Sequence, residues 1–307
     1  MADLGIENHD SELNLMIEDL NRLIKKNSEI PTFRPVVEEI IKGSYKKSIP
    51  VPELIKLVSC DYILSSQVMK IVNSAYFNHP GTVSTIDEAM VILGYGLFQK
   101  IVFSFALYSV YSKTEDGYNP KIVKIWNHAF ITGLTIRRLS ELHTNGNSGA
   151  MFSAGLLHDI GKIVLFREFG AEYLLLMDKS NQEDVKLIKL EKEYFGYDHT
   201  EVGEALLRDY NLPEEIIFMV RYHHAPENYH QKDSRYSFIK AIYLSNILAH
   251  ILELKERNFQ PVFKRNDFFE KNFQFSNEEI HDILNLIQYD MKEEQRYIDL
   301  LGGTENE

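Results

Sequence analysis

Cysteine is almost missing from this 307-residue chain. Cys60 is the single one, so no intrachain disulfide can form, and a reducing compartment fits. Basic charge is in deficit as well: 33 Lys and Arg stand against 45 Asp and Glu, a formal net charge of -12. Proteins that hold nucleic acid through its phosphates need the opposite balance, so nucleic acid is not expected as a partner. The one local basic group, Lys42, Lys46 and Lys47, reads as a solvated turn. Long apolar runs are missing too. No stretch approaches the roughly 20 residues that span a bilayer. The acidic start, Met1 to Glu12, has no apolar core of the kind a signal peptide carries. A soluble, cytoplasmic protein with no membrane partner is the expectation. Strand signals are weak, because Asn145-Gly146 sits in a polar loop rather than between alternating runs. No internal repeat or low-complexity segment is visible.

What the chain has is helical periodicity and a hydrophobic content of 44%, enough for a real core. Leu13, Met16, Ile17, Leu20, Leu23 and Ile24 make one apolar stripe. That stripe suits a packing helix or a partner-binding one. Pro31 and Pro35 then break the chain, and Pro52 is well placed as the first residue of the next helix. Asp61 is a capping residue for the helix after that. Thr85 and Glu88 form a capping box, and Gly94 is expected to end the helix they start. The polar run Ser112 to Asn119 is the expected boundary between two helical lobes. These are placed at 12–115 and 120–295, with a tail over 296–307. The fold class is all-α.

Histidine is unevenly spread. Only His9 and His79 precede the boundary; the other nine of the 11 follow it. The densest chemistry is His158-Asp159, flanked by Leu156, Leu157 and Ile160, which would bury it. A buried carboxylate needs a partner, and a cation is a natural one. The doublet closes a helix, with Gly161 permitting a turn. His128 falls in an apolar helix. His199 follows the capping candidate Asp198, and His223-His224 end a helix just before Pro226. Side chains at helix ends can converge in a bundle core, as metal sites do. Neighbours on a helix project about 100° apart. A doublet therefore wraps one ion near a helix end, or serves two ions side by side. Each histidine taken singly also reads as a packed or surface residue; it is the ordered set that points to metal.

In order along the chain, these residues resemble the HD superfamily of metal-dependent phosphohydrolases, and more closely its HD-related output domain, HDOD. The resemblance runs from about Ile30 to Leu252. It rests on Ile30-Pro31-Thr32-Phe33-Arg34-Pro35, on Asn73-Ser74-Ala75, on Thr85 to Ala89 with Leu93-Gly94, and on the histidine pattern. It implies an N-terminal helical lobe beside an HD-type helical lobe. It implies His128 as first metal ligand, His158 and Asp159 as the central pair, Asp159 as a bridge, and His199, His223 and His224 around a second ion. It also implies a phosphate-holding role for Lys162, which lies one helical turn after Asp159.

Two departures qualify it. Asn246 stands where the pattern carries a last Asp ligand; its amide oxygen can still coordinate, without charge. The Gly-Tyr-Pro signature of cyclic-di-GMP phosphodiesterases is absent after His224. The expected cofactor is one or two divalent transition ions, Fe, Zn, Ni or Mn, as suits imidazole-rich ligation. The expected function is a bacterial signalling module with a protein partner and little or no hydrolase activity. The alternative is a phosphohydrolase in which Asp159 and Lys162 serve catalysis on a nucleotide or cyclic dinucleotide. Arg221 would then assist with phosphate, or form a surface salt bridge.

Overall fold

The periodic stripes become helices throughout the described residues of the computed structural model. These are 18–25, 49–60, 62–73, 83–112, 120–143, 148–183, 185–256, 267–273 and 275–302. No strand occurs among them. Helix α1 covers 18–25 and buries Leu23 and Ile24, the described end of the first apolar stripe. Pro31, Pro35, Asp61, Ser74-Ala75 and the basic group Lys42 to Lys47 lie outside the described residues, as does most of the expected boundary run.

Three helices build the N-terminal part: α2 (Val51–Ser59), α3 (Tyr62–Val72) and α4 (Ile86–Ser112), packed on one another. Pro52 sits in the first turn of α2, where a missing N–H is harmless. The side chain of Asn73 closes the loop after α3. It donates to Met69 O at 3.0 Å and Val83 O at 2.9 Å, and accepts from Val83 N at 2.7 Å. The expected capping box opens α4. Glu88 N–H donates to Thr85 Oγ1, and Thr85 N–H donates back to Glu88, both at 3.2 Å. Gly94 does not end this helix. It breaks it at φ 71°, ψ 157°, and the chain resumes helix as far as Ser112. Glycine reaches that left-handed region without steric cost.

The C-terminal part is a bundle. Its helices are α5 (Pro120–His143), α6 (Ser148–Leu157), α7 (Ile160–Phe169), α8 (Ala171–Glu183), α9 (Leu187–Phe195), α10 (His199–Asp209), α11 (Glu214–Tyr222) and α12 (Tyr236–Glu256). A short helix α13 (Asp267–Asn272) and a long α14 (Asn277–Gly302) follow, α14 running through the start of the expected tail at 296. Helix α14 packs on α3, α5 and α12, and α4 packs on α5, which ties the N-terminal helices to the bundle. Trp126 is fully buried in α5, stacked on Phe130 at 5.4 Å between centroids. No described helix is long and apolar enough to cross a membrane.

Two glycines let the bundle close where the histidines are. A Cβ on Gly155 would lie 2.5 Å from Gly133 Cα, so α6 crosses α5 with their backbones touching. A Cβ on Gly161 would lie 1.9 Å from His199 O and 2.9 Å from Gly203 N. Gly161 is therefore not the turn residue expected from sequence. It lies inside α7 and permits the close crossing of α7 on α10.

Candidate metal centre

These crossings bring residues far apart in sequence to one place. His158 and Asp159 occupy the corner between α6 and α7, with Asp159 at the N-terminal end of α7. His199 is the first residue of α10. Asp198 caps that helix by accepting from Thr200 N and Glu201 N, and Glu201 completes a capping box. His223 and His224 follow directly on α11. His128 comes from α5 and Asn246 from α12, which pack together. His158, Asp159, His199 and His223 are all at most 1% exposed.

The orientation of each ring is fixed from behind. His158 Nδ1–H donates to Gly155 O at 2.7 Å, and His223 Nδ1–H donates to Val220 O at 2.7 Å. His199 Nδ1–H donates to Glu191 Oε2 at 2.6 Å. In each case the lone pair is left on Nε2, and all three Nε2 atoms face Asp159. His199 Nε2 and His223 Nε2 are each 3.5 Å from Asp159 Oδ1, and His158 Nε2 is 3.3 Å from Oδ2. His224 Nε2 lies 3.2 Å from His199 Nε2. His158 Nε2, His223 Nε2 and Asp159 Oδ1 are buried without a hydrogen-bond partner.

Unpartnered buried polar atoms are costly unless something satisfies them. Lone pairs facing a carboxylate do not satisfy each other. Separations of 3.2 to 3.5 Å are long for hydrogen bonds but match ligand spacing. Four donors with ~2.1 Å bonds to one tetrahedral ion stand roughly 3.4 Å apart. Ligand atoms of Asp159, His199, His223 and His224 lie within 4.8 Å of one another, as do those of His128, His158 and Asp159. Rings anchored at Nδ1 with Nε2 presented inward are the usual second support of a histidine metal site. The residues fit a divalent transition ion.

Lys162 reaches back one turn, as the sequence spacing predicts, and donates to Asp159 Oδ2 at 2.6 Å. Arg221 is held by Glu201 at 3.2 Å, Glu204 at 3.1 Å and Thr200 Oγ1 at 2.8 Å, so it takes the salt-bridge role. Asn246 Oδ1 accepts from His128 Nε2–H at 2.8 Å.

Three residues escaped the reading of the sequence. Glu191 accepts from His199 Nδ1, from His199 N–H at 3.0 Å and from Tyr173 Oη–H at 2.6 Å. Its signal was there: it lies on the buried stripe of α9 beside Leu190, where a carboxylate has no reason to be unless it is bonded. His250 and Glu253 share a face of α12 with Asn246, at i, i+4 and i+7. The site therefore has three nearby carboxylates, not the single Asp159 that charge counting on the sequence finds.

Burial sets the protonation states. It lowers the pKa of His158 from 6.5 to about 3 and also lowers those of His223 and His224. Burial works to raise Asp159, but the charges of His158 and Lys162 outweigh it and hold the carboxyl well below 3.8. Neutral imidazoles and an ionised carboxylate are the metal-ready forms. A consequence for stability follows. Below pH ~6.5 the unfolded chain takes up histidine protons that the folded chain refuses, so stability falls as pH drops toward 3. Asp159 acts in the same direction at lower pH, since its folded pKa lies below its unfolded one. For metal-stripped protein, urea midpoints should be level above pH 7 and decline below 6.5. The slope reaches ~1.4 kcal/mol per pH unit for each histidine kept neutral. A flat midpoint between pH 6.5 and 4.5 would contradict the burial of these rings.

An all-α protein with a buried His-Asp cluster between bundle helices is what fold and site define. The chain matches the HDOD domain family over residues 30–226, and it belongs to that family. An HDOD domain protein of unknown function from Geobacter sulfurreducens shares the fold at TM-score 0.63 and 20% identity. The match covers 92% of this chain and 98% of that one. A Marinobacter aquaeolei VT8 protein, provisionally described as a signal transduction protein, matches at TM-score 0.70 and 17% identity. That match covers 98% of this chain and 66% of the other. A Shewanella amazonensis SB2B protein, provisionally described as a phosphohydrolase, matches at 0.62 and 19%, over 88% and 93% of the two chains. At these identities the likeness is one of fold. An uncharacterized protein of Treponema pallidum (strain Nichols) is 26% identical over 208 residues, 66% of this chain. The chain spans 39% of that relative's length.

Proposed function

We propose that this chain is an HDOD signalling module that keeps a histidine-rich metal centre and has little or no hydrolase activity. The carrying observation is the set of buried Nε2 atoms of His158, His199 and His223 turned on Asp159 at 3.3 to 3.5 Å. Such a set is costly to keep without a cation. His224 completes the inner group, and His128 and Asn246 stand at its edge. A bound Fe, Zn, Ni or Mn would supply Lewis acidity and lower the pKa of water. The cations expected to hold phosphate are engaged elsewhere. Lys162 is committed to Asp159, and Arg221 to Glu201 and Glu204. Asn246 donates no charge to the site. Those three facts favour regulation through a protein partner over turnover, in a cytoplasmic setting.

The second reading is a phosphohydrolase acting on a nucleotide or cyclic dinucleotide, and the completeness of the inner group favours it. Lys162 is its best residue for phosphate, because its side chain is 13% exposed and so borders the solvent side of the cluster. Metal analysis of the purified protein, followed by assay against cyclic dinucleotides and nucleotides with added Fe or Mn, separates the two. The signalling reading expects bound metal and no turnover. Turnover that disappears in Asp159→Ala overturns it, and protein that binds no metal overturns both.

A further inference from the structure

The three rings that face Asp159 are not anchored alike. His158 and His223 each give Nδ1–H to a neutral carbonyl three residues back, Gly155 O and Val220 O. His199 gives Nδ1–H to a carboxylate of another helix, Glu191 Oε2, at 2.6 Å. The local chain builds this arrangement. Gly196 ends α9 in left-handed backbone at φ 82°, and Asp198 caps α10, so only residues 196–198 separate the two helices. The chain turns back at once, and Glu191 comes to lie behind His199. Glu191 Oε2 also accepts from His199 N–H at 3.0 Å, and Oε1 accepts from Tyr173 Oη–H at 2.6 Å. All three bonds are received and none is given, the pattern of an ionised carboxylate. Glu191 and Tyr173 are both fully buried. Among the described residues, the only ion-pair partner of Glu191 is the His199 ring. A ring that offers an Nε2 lone pair to a metal is neutral. The carboxylate then has no countercharge, and a buried charge without one is costly. A cation at His199 Nε2, across the ring from Glu191, provides it.

We propose that Glu191 is a positioning residue whose negative charge, acting through His199, draws the first ion to the side of the cluster where Asp159, His199, His223 and His224 meet. This rests on the reading of the chain as a metal binder. An imidazole bonded to a carboxylate is a more basic ligand than one bonded to a carbonyl, so His199 is the strongest imidazole donor of the three. Asp159 is the one carboxylate among those four ligands, and it is shared with Lys162 at 2.6 Å. A divalent ion there meets too little negative charge from its direct ligands alone. Glu191 adds to it from one residue further out. Tyr173 holds Oε1 and leaves Oε2 to His199, so the relay runs from α8 through α9 to the first residue of α10.

Co(II) titration of the full chain, read by visible absorption, tests this. Glu191→Gln keeps the shape and an acceptor oxygen but removes the charge. It weakens the first ion by about 10- to 100-fold, the range for supporting partners of metal ligands. Tyr173→Phe removes a hydrogen bond and no charge, so it weakens that ion by less than about tenfold, below the same range. Wild-type affinity in Glu191→Gln overturns the proposal. Equal losses in the two variants also overturn it, because the contact rather than the charge is then what counts. A wild type that takes up no Co(II) overturns the metal-binding reading itself, and the inference with it. Proton NMR of the Zn(II)-loaded wild type keeps the test decisive should Glu191→Gln misfold. The His199 ring N–H, bonded to a carboxylate, lies downfield of those of His158 and His223, bonded to carbonyls. A His199 signal level with theirs overturns the link.

Discussion

Asp159→Ala is expected to abolish tight metal binding and, separately, to destabilise the metal-free fold by about 3–5 kcal/mol, the usual cost of removing one partner of a buried ion pair. The carboxylate is 1% exposed and does two things at once. Its Oδ2 takes the Lys162 ammonium at 2.6 Å, and its Oδ1 faces His199 and His223. Alanine leaves the part-buried Lys162 charge without its partner, which costs stability, and takes the one carboxylate from the inner group of ligand atoms, which costs metal affinity. Metal affinity should fall by more than about 100-fold, beyond the 10–100-fold typical of losing a mere supporting group. Urea denaturation of chelator-treated protein reads the first effect and metal titration reads the second. Wild-type affinity in Asp159→Ala would remove this residue from the centre. Unchanged stability with lost affinity would show that Lys162 finds water as good a partner.

The parts of this site readable from sequence were those set by local rules. The Asp198–Glu201 box that starts α10 on His199, the one-turn step from Asp159 to Lys162, and the ends of α6 and α11 all follow from spacing within a few residues. The unread parts are contacts between distant segments. His128 meets Asn246 across 118 residues and Glu253 across 125. No periodicity reports which nitrogen of His128 will face which neighbour. The same gap explains Gly94 and Gly161. Sequence shows that a glycine is present, but only packing shows whether it serves a left-handed backbone, as at Gly94, or a close helix crossing, as at Gly161. Glu191 and Glu253 were missed as ordinary helix carboxylates, although each lies in line with residues that turn inward.

Gly161→Ala should be as damaging as the loss of a ligand, though it changes no ligand. The added Cβ would stand 1.9 Å from His199 O and 2.9 Å from Gly203 N. Both are backbone atoms of α10, so no rotamer change can make room, and the two helices must separate. Overpacking of this kind costs about 1–3 kcal/mol and sometimes more; contact with rigid backbone places this case at or above the upper end. Separation also moves Asp159, two residues before Gly161, away from His199, so metal affinity falls together with stability. Gly96→Ala is the matched control. Gly96 lies in α4 with nothing within 4 Å of a new Cβ. There alanine should be neutral or stabilising by roughly 0.5–1 kcal/mol, the helix-propensity difference. Thermal unfolding and Co(II) titration of the pair give the comparison. If Gly161→Ala melts with the wild type and binds metal as tightly, the crossing of α7 on α10 is not what holds Asp159 against the histidines. If it loses both while Gly96→Ala loses neither, the metal centre depends on a helix contact that only glycine permits.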